Sequence, residues 1–500
     1  MASDLPVEPR DLFLARDLDE ARARRYLAER GFRDPTAADE RLQRLADDLQ
    51  TRLALGELAD LLLETTLEAP DPDAALTGFC RYAAKRVPKS SFIGYLQDDP
   101  RALQILTRVV GASALLGEIL IRNPEYLHWL QGELDCPPPD QVDYRAEVDA
   151  LLAQDRTAPR RLDSLKRFQR REILRIAGRD LLDKDTLRST TGQLADLVAV
   201  VVAGALRIAR NDLAEREGAA PPGAFVVIGL GRLGRRELDY SQDIHVLYVY
   251  EADEPDAAGV RARFQRLGQR LTAILEETTG EGYCYRVDLG LQPPGPRERA
   301  ACSLQEGIRY CAGLGETLER FALVGARPIA GELELGRRFA DGIRPFVYRP
   351  DADRAAVGAL AREWAGTDPA GGRPHAGDGI AATSRGALRE IEFAARVLQL
   401  VHGAHHPDLQ GGSTLSALAA AHARGLLGEA ALDDLRRAYT FLRTVEHRLQ
   451  ILGAADTPGP AEGSAPETTP RRLGFEAELE SALARHRARV HAICREQDWL

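Results

Sequence analysis

A mostly helical protein with one embedded α/β unit is the fold class that this 500-residue sequence predicts. Three observations predict it. Long stretches on both sides of the middle carry apolar residues at spacings of three and four, the helical period. Between about 223 and 350, short runs rich in Val, Ile and Tyr alternate with turn residues, as strands do. No repeat at a solenoid period interrupts either region.

In the first third, 36–66 and 74–85 read as helices, 106–130 follows, and Pro137-Pro138-Pro139 reads as a linker. A charged helix over 161–182 puts Ile173, Ile176, Ala177 and Leu181 on one face, with arginines over the rest. Its stretch 166–179 reads as a solvated face, the alternative being a docking surface for an acidic partner. An apolar helix at 194–209 leads to Gly218-Ala-Ala-Pro-Pro-Gly223, a boundary signal. Strands are expected at 224–228, 244–250 and 283–291. A helix at 261–278 carries Phe264, Leu267, Leu271 and Leu275 on one face. From 355 onward the pattern is helical again, at 387–401, 429–452 and 477–495, with a Pro/Gly/Ser/Thr-rich loop at 458–470. The domain reading is a helical region over 1–160, a second domain over 161–350 with its core at 223–350, and a helical bundle over 351–500.

Composition excludes several classes. Hydrophobic residues make up 44% and charged residues 28%, the balance of a soluble globular chain. No run approaches the ~18 to 20 apolar residues that would span a bilayer. The polar, acidic start Met1-Ala-Ser-Asp-Leu-Pro is not a signal peptide, so a cytoplasmic location is expected and no membrane partner. Six cysteines without a C-x-x-C pair support neither a disulfide framework nor a zinc site. A net charge of −10 argues against nucleic acid as a partner, since that affinity rests on neutralising phosphates.

Gly229-Leu-Gly231-Arg-Leu-Gly234 follows an apolar strand, and Glu251 lies twenty residues beyond Gly231, which superficially matches a dinucleotide fingerprint. The residues between Gly234 and the next strand offer only Leu238 and Tyr240 as apolar cover, too little for the crossover helix that such a fold needs. The carboxylates fit another chemistry. Asp243 opens one strand and Asp288 lies within another; residue 245 shares a face with Asp243 because strand side chains alternate. Three carboxylates converging on strands below a Gly-rich turn can hold two Mg²⁺ against a triphosphate. In this sequence the third position is His245.

Gly231-Arg-Leu-Gly-Arg-Arg-Glu-Leu-Asp-Tyr-Ser-Gln-Asp-Ile-His245 resembles the nucleotidyltransferase signature of the glutamine-synthetase adenylyltransferase/adenylyl-removing enzyme family. Further segments match in order: 165–176, 285–289, Leu318-Glu-Arg320 with Ala326-Arg-Pro328, 345–349, 388–393 and 445–450. The likeness covers roughly 100 to 495 and corresponds to a single divergent unit of a family built from two. It implies a polymerase-β-like nucleotidyltransferase core flanked by helical domains. It also implies adenylyl chemistry in nitrogen regulation, with glutamine synthetase and a PII-type signalling protein as partners. Carried onto this sequence, the catalytic carboxylates are Asp243 and Asp288, and the metal ligands are Asp243, His245 and Asp288. Gly231, Arg232, Gly234 and Ser241 bind nucleotide; the cofactors, if the unit is active, are Mg²⁺ or Mn²⁺ with ATP or ADP.

The departures concentrate at the reaction centre. His245 replaces a metal carboxylate, although Mg²⁺ takes oxygen ligands. Arg235 stands where the family has glycine, Gly290 and Gln292 where it has arginines, and Gly325 and Ala382 where it has lysines. The turn before Leu388 is Ser384-Arg-Gly-Ala. The expectation is a retained fold with impaired or lost catalysis, binding nucleotide, glutamine synthetase or PII protein. One alternative is an active metal-dependent enzyme with His245 as ligand; another is a helical interaction protein without nucleotide. For the residues taken singly, Asp243 and Asp288 also read as ordinary strand-end carboxylates and Glu237 as an arginine's partner. His402, His405 and His406 read as a solvated helix end rather than a metal site. No Gly-x-Ser-x-Gly elbow supports a serine hydrolase.

Overall fold

The computed structural model describes residues 6–15, 18–154, 157–218, 223–253, 258–291, 293, 300–314, 318–366, 379–453, 479–497 and 499. The expected loop at 458–470 and Gln292 lie outside them. The chain divides into two compact units: residues 1–138, 173–185 and 448–479 form one, and 139–172, 186–447 and 480–500 the other.

The described part of the first unit is helical, and aspartates set where its helices start. Asp34, Asp48, Asp71 and Asp99 each accept the N–H of the residue three positions on, and a proline follows three of them. Such caps satisfy donors that the first turn leaves without helical partners, and proline there loses no bond. They also divide what periodicity alone reads as one stretch. The segment 36–66 becomes Pro35–Leu45 and Leu49–Glu68. The segment 106–130 is divided at Ser113, which caps Ala114–Arg122.

In the second unit a five-stranded mixed sheet lies among helices. Its strands are β1 (Ala224–Gly229), β2 (Asp243–Glu251), β3 (Arg286–Asp288), β4 (Cys302–Ser303) and β5 (Arg327–Gly331). The order is β3-β2-β1-β5, with β4 also beside β2. β1 runs antiparallel to both β2 and β5, whereas β3 and β4 run parallel to β2. Because β1 and β2 are antiparallel, no βαβ crossover follows the Gly-rich turn, which excludes the dinucleotide fold. The third expected strand, 283–291, contracts to three residues, and β4 and β5 are additions to the sequence reading.

Helices that lie wholly or partly in this unit include α1 (Ala158–Leu181), α2 (Leu187–Glu217), α3 (Ala258–Glu276), α4 (Leu333–Val347), α5 (Gly379–His402), α6 (Glu429–Ile451) and α7 (Leu479–Glu496). α2 packs on α3 and β5. Its most apolar window has a mean hydropathy of 1.6, long and apolar enough to cross a bilayer, contrary to the sequence reading. That window is 83% buried within the protein, so its apolar surface is core.

α1 corrects the reading of its arginine-rich stretch as a solvated face, since several of its polar residues are buried. In the second unit, Lys166, Gln169 and Glu172 are buried. Lys166 Nζ donates to the Glu277 carbonyl at 2.6 Å, and Gln169 Nε2 to the Cys284 carbonyl at 2.7 Å. In the first unit, Arg179 donates to the carbonyls of Glu133, Leu134 and Cys136 and pairs with Asp185 at 2.7 Å. A carbonyl buried with α1 would forfeit its water, so these long hydrogen-bond-donating side chains replace it. The 166–169 segment thereby fastens the turn that leads into β3.

Candidate functional site

Two polar constellations lie around the segment 230–245, one open and one closed. The open one is the β3 edge. Alternation along β2 exposes Asp243 and His245 and buries Ile244 and Val246. β3 pairs Asp243 with Arg286 and His245 with Asp288, so the three residues expected as metal ligands occupy one exposed face. Asp288 is the direct neighbour of His245; its relation to Asp243 is diagonal. His245 Nδ1 lies 2.8 Å from Asp288 Oδ2, and more than half of each side chain remains exposed. The bond to Asp288 raises the imidazole above its ordinary pKa against the effect of burial, and the charges of Asp288 and Asp243 add to it. Reciprocally, the His245 bond and the Gly290 N–H lower Asp288. Among the described residues no group of three or more His, Cys, Asp or Glu side chains is disposed to hold a metal ion.

The Gly-rich turn is packed closely against its surroundings at Gly234. Gly231 has φ +53° with open space where a Cβ would point, so glycine answers to backbone conformation there. A Cβ on Gly234 would meet the carbonyl oxygens of Gly325 and Gly229 at 2.5 and 2.6 Å. Backbone therefore fills the space over Gly234. Ser241 donates its N–H to Asp239 Oδ1 at 2.9 Å, closing a turn just before β2. Arg232, expected at the nucleotide, is surrounded by carboxylates: Asp239 at 2.6 Å, Glu392 at 3.0 Å and Glu446 at 3.3 Å.

Those contacts belong to the closed constellation, which sequence reasoning missed. Four guanidiniums (Arg232, Arg235, Arg396, Arg443) meet four carboxylates (Glu237, Asp239, Glu392, Glu446). All except Arg232 are buried. Glu237 is the hub. Its Oε1 accepts from the Thr414 N–H at 2.6 Å and the Tyr439 hydroxyl at 3.1 Å, and its Oε2 accepts from Arg235 at 3.0 Å. Its backbone carbonyl accepts from Arg443 at 2.6 Å. α5 contributes Glu392, Arg396 and Gln399, and α6 contributes Tyr439, Arg443 and Glu446, each set spaced by four and then three along one helix face. Charged residues on otherwise apolar helix faces, between Ile391 and Phe393 or beside Leu442, are the signal that would have found them.

Equal numbers of opposite charges let the network survive without water. Burial alone would raise Asp239, but Arg232, Arg443 and the Ser241 side chain outweigh it and hold that carboxylate well below its usual range. Glu392 falls to about 2 by the same balance, with Arg232 the leading cation. Arg396, whose carboxylate partner Glu237 lies at 3.6 Å, is pulled down to about 10 by burial and by Arg235.

A family model described as glutamate-ammonia ligase adenylyltransferase matches residues 103–342. Another, described as GlnD PII-uridylyltransferase, matches 382–497, the stretch holding most of α5, all of α6 and α7. Curated proteins named bifunctional glutamine synthetase adenylyltransferase/adenylyl-removing enzyme are similar over most of the chain. The protein of Stenotrophomonas maltophilia (strain K279a) is 35% identical over 401 residues, 78% of this chain and 42% of its own length. That of Burkholderia mallei (strain ATCC 23344) is 36% identical over 383 residues, 69% and 40% respectively. That of Hahella chejuensis (strain KCTC 2396) is 33% identical over 385 residues, 75% and 39%. The chain thus spans about two-fifths of the length of these relatives.

Proposed function

Because the chain belongs to the glutamate-ammonia ligase adenylyltransferase family, we propose that it is a divergent adenylyltransferase/adenylyl-removing-like unit of nitrogen regulation. On this reading Mg²⁺-dependent adenylyl transfer is impaired or lost, and binding of nucleotide, glutamine synthetase or a PII-type protein remains. The sheet and its helices serve as a polymerase-β-like nucleotidyltransferase core.

One observation carries the reading: the third metal position is the His245 imidazole, hydrogen-bonded to Asp288. Two Mg²⁺ ions facing a triphosphate need a set of oxygen donors with net negative charge. Two carboxylates and an imidazole supply one charge fewer, and the imidazole already engages Asp288. This donor set does not fit a two-Mg²⁺ centre. The commitment of Arg232 to three carboxylates supports the same reading, since phosphoryl and nucleotidyl transfer rest mostly on positioning and charge neutralisation.

Calorimetric titration with Mg²⁺ and ATP tests it. The expected outcome is weak Mg²⁺ dependence in the wild type and a clear gain in His245→Asp, which returns an oxygen ligand and a negative charge. Strong Mg²⁺-dependent binding by the wild type, unchanged by the substitution, would overturn it. A second reading, an active enzyme that uses His245 as metal ligand, is favoured by one feature. Metal-binding imidazoles commonly have one ring nitrogen oriented by a carboxylate, as Asp288 orients Nδ1. Turnover with Mn²⁺ but not Mg²⁺ would support that second reading.

A further inference from the structure

We propose that Arg232 is a positioning residue through which α5 and α6 hold the 230–243 segment, and with it the placement of Asp243. Its guanidinium reaches Glu392 of α5 and Glu446 of α6 while also holding Asp239 of the segment itself. Asp239 in turn fixes the Ser241 N–H, two residues before Asp243. At the other end of the segment, the Leu230 N–H donates to the His245 carbonyl at 2.9 Å. Between these anchors, Arg236 is held in the left-handed region at φ +59°, a conformation that persists only where surroundings enforce it.

The chemistry favours a positioning role over a ligand role. An arginine that receives three carboxylates has no surplus charge to offer a phosphate, and a guanidinium fork fixes direction as well as charge. The partners lie 160 and 214 residues away in sequence, so the segment's conformation is set by helices remote from it in the chain. A change of packing in α5 or α6 would therefore be transmitted to the Asp243 edge. That consequence matters for function only on the reading proposed above, and the test stands without it.

The test is hydrogen exchange on the intact chain, following peptides that cover 235–243, β1 and β5 separately. In Glu392→Gln and Glu446→Gln, exchange over 235–243 should accelerate about tenfold or more while β1 and β5 keep their protection. Arg232→Lys should behave like the glutamine variants, because a point cation cannot bridge three carboxylates. Arg338→Ala, which removes the exposed pair with Glu251 at the far end of β2, should change nothing over 235–243. Unchanged exchange over 235–243 in both glutamine variants would overturn the proposal. So would equal acceleration in all three peptides, the mark of a merely structural role. Should one glutamine variant fail to fold, the other supplies the same readout.

Discussion

The two constellations flanking the 230–245 segment use the same kinds of side chain under opposite conditions. At the β3 edge, Asp243, His245 and Asp288 face solvent, and one neutralising contact joins the last two. In the closed network, eight charges are balanced four against four and all but Arg232 are buried. An exposed pair of this kind contributes ~0 to 1 kcal/mol, whereas removing one partner of a buried pair costs ~3 to 5 kcal/mol. The segments 388–393 and 445–450, which resemble the family, feed the closed region. The departure at His245 falls in the open one. A second departure, Arg235, falls in the closed one, where Gly325 leaves room for its side chain.

The largest effect that sharpens this contrast is expected from Arg443→Met. Arg443 is completely buried and serves both Glu446 and the Glu237 carbonyl. Its loss should lower unfolding free energy by ~3 to 5 kcal/mol in urea titration, and a loss below ~1 kcal/mol would break the contrast. Next is a pair of positions. A Cβ at Gly325, where φ is +80°, would sit 2.6 Å from Arg235 Cγ. Gly325→Lys should therefore cost ~1 to 3 kcal/mol, and Arg235→Gly in the same chain should recover part of that loss non-additively. Simple additivity in that cycle would mean the two sites do not share space.

How far the sequence foresaw these regions follows from the range of each signal. β1 and β2 were legible because continuous apolar runs announce buried strands. β4 and β5 were not: one is two residues long, and the other reads Arg-Pro-Ile-Ala-Gly, without alternation. The shared face of Asp243 and His245 followed from period two, but the register that makes Asp288 the neighbour of His245 is a property of pairing. Composition made α1 look solvated because it counts charges and is blind to partners. Lys166 meets Glu277 111 residues later, and Arg232 meets α5 and α6 farther still.

Acidity separates the regions with opposite signs. Asp239 and Glu392 lie below their ordinary values, so their contribution is present above ~4 and lost as pH falls through the folded values. Wild-type stability should drop steeply below pH ~4, and Glu392→Gln should flatten that drop; an identical profile would contradict the network's role. His245 is raised, so its bond to Asp288 is fully present below ~6.5 and lost as pH rises through the folded value. The smallest effect follows: His245→Ala should change stability by less than ~1 kcal/mol, and only on the acidic side of that transition.

The measurement closest to the central claim is radiolabelled adenylyl transfer to glutamine synthetase, run with Mg²⁺ and with Mn²⁺. Losing one electrostatic stabiliser costs ~10²- to 10³-fold in rate. With His245 in place of a carboxylate and Arg232 committed to Asp239, Glu392 and Glu446, the account predicts incorporation at background with either ion. A clear rate with either ion, abolished by Asp243→Asn, would contradict it.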